Sequence, residues 1–172
     1  MFVSYGSGNL FYHFHFHCMK KLFLLLAAAL LVIMFNSCSN KRSGKPRVLV
    51  FSKTAGFKHE SIPNGVAAII KLGAENGFDV DTTTNDEMFM EDTLKKYSAI
   101  IFLNTTLNVL NYKQEAAFER YIQAGGGFVG VHSATDTEYD WGWYGRLVGG
   151  YFNGHPHPQK AKFIIKDKNH AA

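Results

Sequence analysis

Apolar residues along this chain gather in short, unbroken runs separated by polar loops and glycines. Residues 47–52 read RVLVFS and residues 99–103 read AIIFL, runs suited to strands buried on both faces. Residues 78–83, FDVDTT, alternate and predict a less buried strand, while residues 128–131, FVGV, predict a fourth. Between them the spacing turns helical. Ser61 and Pro63 mark a helix start, Val66, Ile69, Ile70 and Leu72 supply its apolar face, and Gly77 is placed to cap its end. Leu94 and Tyr97 predict a short helix. Asn111 is placed to cap a longer one, with Ala116, Ala117, Phe118, Tyr121 and Ile122 at helical spacing and Gly125 at its end. Phe163, Ile164 and Ile165 begin what reads as one more strand.

Strand and helix alternating at this rhythm predict right-handed βαβ units: an α/β fold with a parallel sheet covered on both faces. Ligands of such sheets bind beyond the carboxyl ends of the strands. Three segments are expected there: the loop holding His59, the loop Asn104-Thr105-Thr106-Leu107-Asn108, and the turn at His132.

The first part of the chain follows a different logic. Met19-Lys20-Lys21 is a short positive patch, and residues 22–35 form an apolar run too short to span a membrane. Asn36-Ser37-Cys38 and a polar stretch follow. The pattern predicts residues 1–37 as an upstream extension plus signal peptide starting at Met19. Cys38 then becomes the lipidated residue, residues 38–45 a tether, and residues 46–172 the domain. The expected location is the cell envelope of a Gram-negative bacterium, lipid-anchored on the periplasmic or outer-membrane side.

Composition changes the picture in two places. The only cysteines are Cys18 and Cys38, both before the domain, so the domain has no disulfide, thiolate ligand or cysteine nucleophile. The net charge of +4 is modest and its basic residues are scattered, which gives nucleic-acid binding no support. Gly125-Gly126-Gly127 follow a helix and precede a strand, so they read as a cap and turn rather than a phosphate cradle.

The segments "VFSKTAGFKHESIPNG", "FLNTTLNVLN" and "FERYIQAGGGFVGVHSATDTEYDWGWYGRLVGGYFNGHP" closely resemble ThuA-like proteins, the trehalose-utilisation family, from about Arg47 onward. The resemblance implies a class I glutamine amidotransferase-like, flavodoxin-like fold of three layers. It also implies a role in using trehalose or a related disaccharide or keto-sugar. His132 stands where the amidotransferases carry their nucleophilic cysteine, so no amidotransferase activity is expected. Relatives run on for several tens of residues, so this chain reads as truncated at its C-terminus.

Five of the eight histidines follow the leader: His59, His132, His155, His157 and His170. Imidazole is the usual proton shuttle near neutral pH and a common metal ligand. His132, with His59 and an orienting carboxylate from Asp136 or Glu138, forms the candidate acid–base set. His59, His132 and His155 are a candidate ligand set for a divalent, zinc-like metal with an open position. Asn104, Thr105, Tyr139, Asp140 and His155 are candidate sugar contacts, because aromatic faces beside carboxylates and amides suit pyranose rings. Ser133 lacks the G-x-S-x-G frame of a serine nucleophile. The expected partners are a small sugar and, through the lipid, a membrane; the sequence does not set the oligomeric state. The runner-up readings are a non-catalytic sugar-binding lipoprotein and an inactive truncated product.

Overall fold

The computed structural model describes residues 44–169. Cys38, the leader before it and His170 lie outside the described residues. Four parallel strands, β1 (Arg47–Phe51), β2 (Asp79–Thr83), β3 (Ala99–Leu103) and β4 (Gly127–Val131), form one sheet in the order β2-β1-β3-β4. Helices α1 (Ile62–Asn76), α2 (Glu91–Leu94), α3 (Tyr112–Gln123) and α4 (Gly142–Val148) connect or follow them. Strand order reverses between β1 and β3, the switch point at which open α/β sheets leave a crevice for ligands.

One face of the sheet carries a nearly continuous aromatic core. Phe102 is fully buried, and its ring lies 5.3 Å from both Phe51 and Phe118, 5.5 Å from Phe128 and 5.6 Å from Tyr144. In the pairing register Phe51 stands beside Phe102, which stands beside Gly130, so the glycine leaves room across the row. α3 covers this face with Ala117, Phe118 and Tyr121. It begins with a full capping box: Asn111 accepts from the Lys113 and Gln114 amides, and Gln114 Oε1 accepts from the Asn111 amide.

α1 covers the opposite face, but not with the stripe expected of it. Ile70 and Leu72 are 48% and 50% exposed, whereas Ile62 and Gly73 are buried. The reason is close approach. A Cβ on Gly73 would lie 2.7 Å from both Phe78 O and Val80 Cγ2, so glycine alone lets the helix settle onto β2. That contact rotates the inward stripe to residues 62, 66, 69 and 73. Gly77 ends the helix in the left-handed region at φ 74°.

A second departure lies at the C-terminus. Phe163, Ile164 and Ile165 form no strand and remain exposed. A strand exists only through a neighbour, and among the described residues none pairs with this segment.

Candidate functional site

Hydrogen bonds stitch the three loops at the carboxyl rim of the sheet into one surface. Thr106, fully buried, joins the first two: its carbonyl accepts from the Ala55 amide at 2.9 Å, and its hydroxyl donates to Phe57 O at 3.1 Å. This fixes the β1 loop, and with it His59, over the switch point. The β3 and β4 loops meet through Leu107 N donating to Asp136 O at 2.7 Å and a buried contact between the Thr105 and Thr137 hydroxyls at 2.8 Å. Glu138 completes the join by accepting from the Val109 and Leu110 amides at 2.9 and 2.8 Å.

His132 sits immediately after β4 with φ 51°, a left-handed conformation uncommon for a residue with a side chain. Asn104, Leu107 and Glu138 share that region of φ, so all four such non-glycine residues among the described residues belong to this rim. Backbone strain of this kind persists where surrounding structure enforces it, commonly at functional sites. The consequence is to present the His132 ring at a sharp strand-to-helix turn, as a nucleophile elbow presents its nucleophile.

The ring so presented meets His59. Their Nε2 atoms are 3.0 Å apart, with the rings edge to face at 87°. Two N–H groups cannot face each other at that distance. One Nε2 therefore donates and the other accepts, and the pair holds a single proton between its facing nitrogens. His59 Nδ1 lies 3.5 Å from Ser133 Oγ, which orients the ring from behind.

The pair forms one wall of an open cavity of about 470 Å³. Phe57 and Phe152 contribute apolar faces, and Thr135, Asp136 and His155 place polar groups around them. Few polar groups among apolar walls is the usual make-up of a small-molecule site.

The trehalose-utilisation (ThuA) family model matches residues 47–172. This chain belongs to the ThuA family. Among solved structures, a ThuA-like protein from Bacteroides uniformis matches with a TM-score of 0.54 and 28% identity over 70% of this chain. That alignment takes in 51% of the Bacteroides protein, so this chain spans about half its length. No curated protein matches the chain.

Within this ThuA-family rim, His59, His132, Asp136 and His155 come together as the sequence suggested. Other expectations need correction. The Asp136 carboxylate does not orient His132: it accepts from the Tyr139 hydroxyl at 2.5 Å. Tyr139 does not line the cavity, and its hydroxyl oxygen also lies 2.9 Å from Phe152 O, an alternative acceptor for its one proton. Burial and the adjacent Asp136 carboxylate push its hydroxyl up to about 12, so it remains a donor. Tyr139 thus ties together two cavity walls, at Asp136 and Phe152, without itself lining the cavity. Thr105 is fully buried against Thr137, and Asn104 is buried with its amide donating to Ser61 Oγ at 3.1 Å, so neither is available to a sugar. Asp140 accepts from Asn108 Nδ2 outside the cavity.

The three-histidine metal set is not assembled either. His155 Nδ1 lies 3.3 Å from Pro156 O, and no three His, Cys, Asp or Glu side chains among the described residues are placed to hold a metal ion. The residues that sequence reasoning missed are Phe57, Phe152 and Thr135, together with Ser133 in its supporting role. Phe57 and Phe152 had one available signal: exposed aromatics two or three residues from a rim histidine.

Glu138 carries a pH prediction. Burial pushes its carboxyl up from 4.5 to about 7, although the two amides it accepts from act in the opposite direction. The folded protein therefore holds a proton that the unfolded chain releases across that window, so stability falls as pH rises from about 4.5 to about 7 and is level above it. The shift corresponds to roughly 3 kcal/mol. Glu138→Gln keeps an acceptor for the amides without a titrating group. Denaturant midpoints at intervals from about pH 4 to 8 should show wild type losing stability relative to the variant across this window. Parallel curves would remove Glu138 as the source.

Proposed function

We propose that this ThuA-family protein takes a sugar of the trehalose or keto-disaccharide type into the rim cavity and acts on it by acid–base chemistry at His132. The observation that carries this reading is the His59–His132 contact of 3.0 Å at the wall of that cavity. A pair holding one proton between two nitrogens can accept a proton from a substrate hydroxyl or acidic C–H at one ring. It can return a proton to another atom by exchanging roles. Phe57 and Phe152 offer flat apolar faces to the C–H surfaces of a pyranose ring, while Thr135, Asp136 and His155 offer directional partners to its hydroxyls. His132 is the proton carrier, His59 its partner, and Ser133 a positioning residue for His59. A lipid anchor at Cys38 and a cell-envelope location complete the proposal; they rest on the leader pattern from Met19 to Cys38.

The test is to incubate the protein with trehalose and with its keto derivatives, following the sugar carbons by NMR. Conversion of one of these sugars, lost in His132→Ala, is the expected result. Saturable binding without conversion would replace the enzyme with a binding protein. Neither binding nor conversion across the set would overturn the sugar assignment.

A further inference from the structure

The Tyr139 hydroxyl reaches two walls of a cavity that Tyr139 does not line. Its oxygen lies 2.5 Å from Asp136 Oδ1 and 2.9 Å from Phe152 O. A tyrosine hydroxyl has one proton, so it donates to one of these acceptors at a time. The charged carboxylate is the stronger acceptor and holds the proton in the free protein. The ring is fixed: it stacks on Tyr151 with centroids 5.2 Å apart, and Tyr151 Oη lies 2.6 Å from Trp141 O. Rotation about the Tyr139 C–O bond therefore moves the proton between its two acceptors. The backbone around Phe152 is suited to respond. The Phe152 amide donates to Thr135 O at 2.8 Å, while its carbonyl is the one that Tyr139 reaches. Glycines at positive φ flank it, Gly149 at 87° and Gly150 at 156° before it and Gly154 at 120° after it. A Cβ on any of the three would meet nothing within 4 Å, so these positions use the backbone freedom of glycine and not its small size. Phe152 and His155, carried on this stretch, both line the cavity.

We infer that Tyr139 is a latch between these walls: a sugar hydroxyl donating to Asp136 releases the Tyr139 proton to Phe152 O, which fastens the Phe152 wall around the bound sugar. The competing donor draws on the same carboxylate charge and weakens its hold on Tyr139, and Phe152 O gains the donor that Asp136 gives up. Tyr139 is thereby a positioning residue that acts through Phe152 and not on the sugar. The ligand-driven half of the latch rests on the proposed function; the choice of one proton between two acceptors does not.

The test is hydrogen–deuterium exchange of the Phe152 amide in the full-length protein extracted in detergent, with β3 amides as the reference for global opening. Asp136→Ala leaves Phe152 O as the acceptor for Tyr139, and should slow exchange relative to β3 by about two- to tenfold, the worth of one hydrogen bond. Tyr139→Phe should leave exchange near wild type and cancel the slowing when combined with Asp136→Ala. A tyrosine that merely props the wall gives a different pattern. Exchange unchanged or faster in Asp136→Ala, or slowed equally with Tyr139→Phe present, would overturn the latch. The second arm adds trehalose and its keto derivatives. A sugar that binds should slow the Phe152 amide more in wild type than in Tyr139→Phe, and equal slowing in both would overturn the coupling. If none of these sugars binds while Asp136→Ala still slows exchange through Tyr139, the sugar reading falls and the latch stands.

Discussion

His132→Gly is expected to abolish the proposed sugar turnover while leaving the protein about as stable as wild type. Three effects on stability nearly cancel. An L-residue in the left-handed region costs about 1–2 kcal/mol, which glycine relieves. Against that stand the extra freedom glycine gives the unfolded chain, about 0.5–1 kcal/mol, and the lost hydrogen bond to His59, about 0.5–1.5 kcal/mol. The net change is expected within about 1 kcal/mol of zero. Turnover has no such compensation, because removing the imidazole removes the group that moves the proton, and loss of a general acid or base reduces rate by about 10²–10⁴-fold. Chemical denaturation paired with a turnover assay checks both halves. A variant that turns over sugar within about tenfold of wild type would remove His132 from the chemistry.

Phe102→Ala has the largest expected effect on stability. The ring is fully buried and lies within 6 Å of five others: Phe51 of β1, Phe89 just before α2, Phe118 of α3, Phe128 of β4 and Tyr144 of α4. Its removal deletes buried apolar surface and leaves a void that close-packed aromatic neighbours fill poorly, costing about 3–5 kcal/mol. Phe102 also stands two residues before Asn104, where β3 enters the rim. Equilibrium unfolding in urea should show a large drop in midpoint. A loss below about 1 kcal/mol would mean that the aromatic cluster repacks freely and does not anchor β3.

The sheet was legible because its signals are local. The runs at residues 47–51, 99–103 and 127–131 are apolar and bounded by polar or glycine residues, and Asn111 with Gln114 spells a capping box. Position at the carboxyl rim followed from topology alone, which is why His59 and His132 emerged as partners. Direction within the rim was not legible. Thr105 and Thr106 look like polar ligand groups, yet burial of loop backbone demands partners, and both hydroxyls are spent stitching loops together. Tyr139 resembled a sugar-stacking aromatic, but its hydroxyl is engaged between the Asp136 carboxylate and Phe152 O, with one proton to give to either. The positive φ at Asn104, Leu107, His132 and Glu138 leaves no mark in composition, because tertiary contacts impose it. The inward stripe of α1 failed for a similar reason: Gly73 sets it through contact with Phe78 and Val80.

The central claim is that a sugar engages the His59–His132 pair. NMR of the histidine ring nitrogens, recorded while the wild-type protein is titrated with trehalose and its keto derivatives, tests it most directly. The expected result is that the His59 and His132 signals move together and saturate with one of these sugars, while His157, which does not line the cavity, stays fixed. Saturable binding of a sugar that leaves both of these rings unmoved would contradict it.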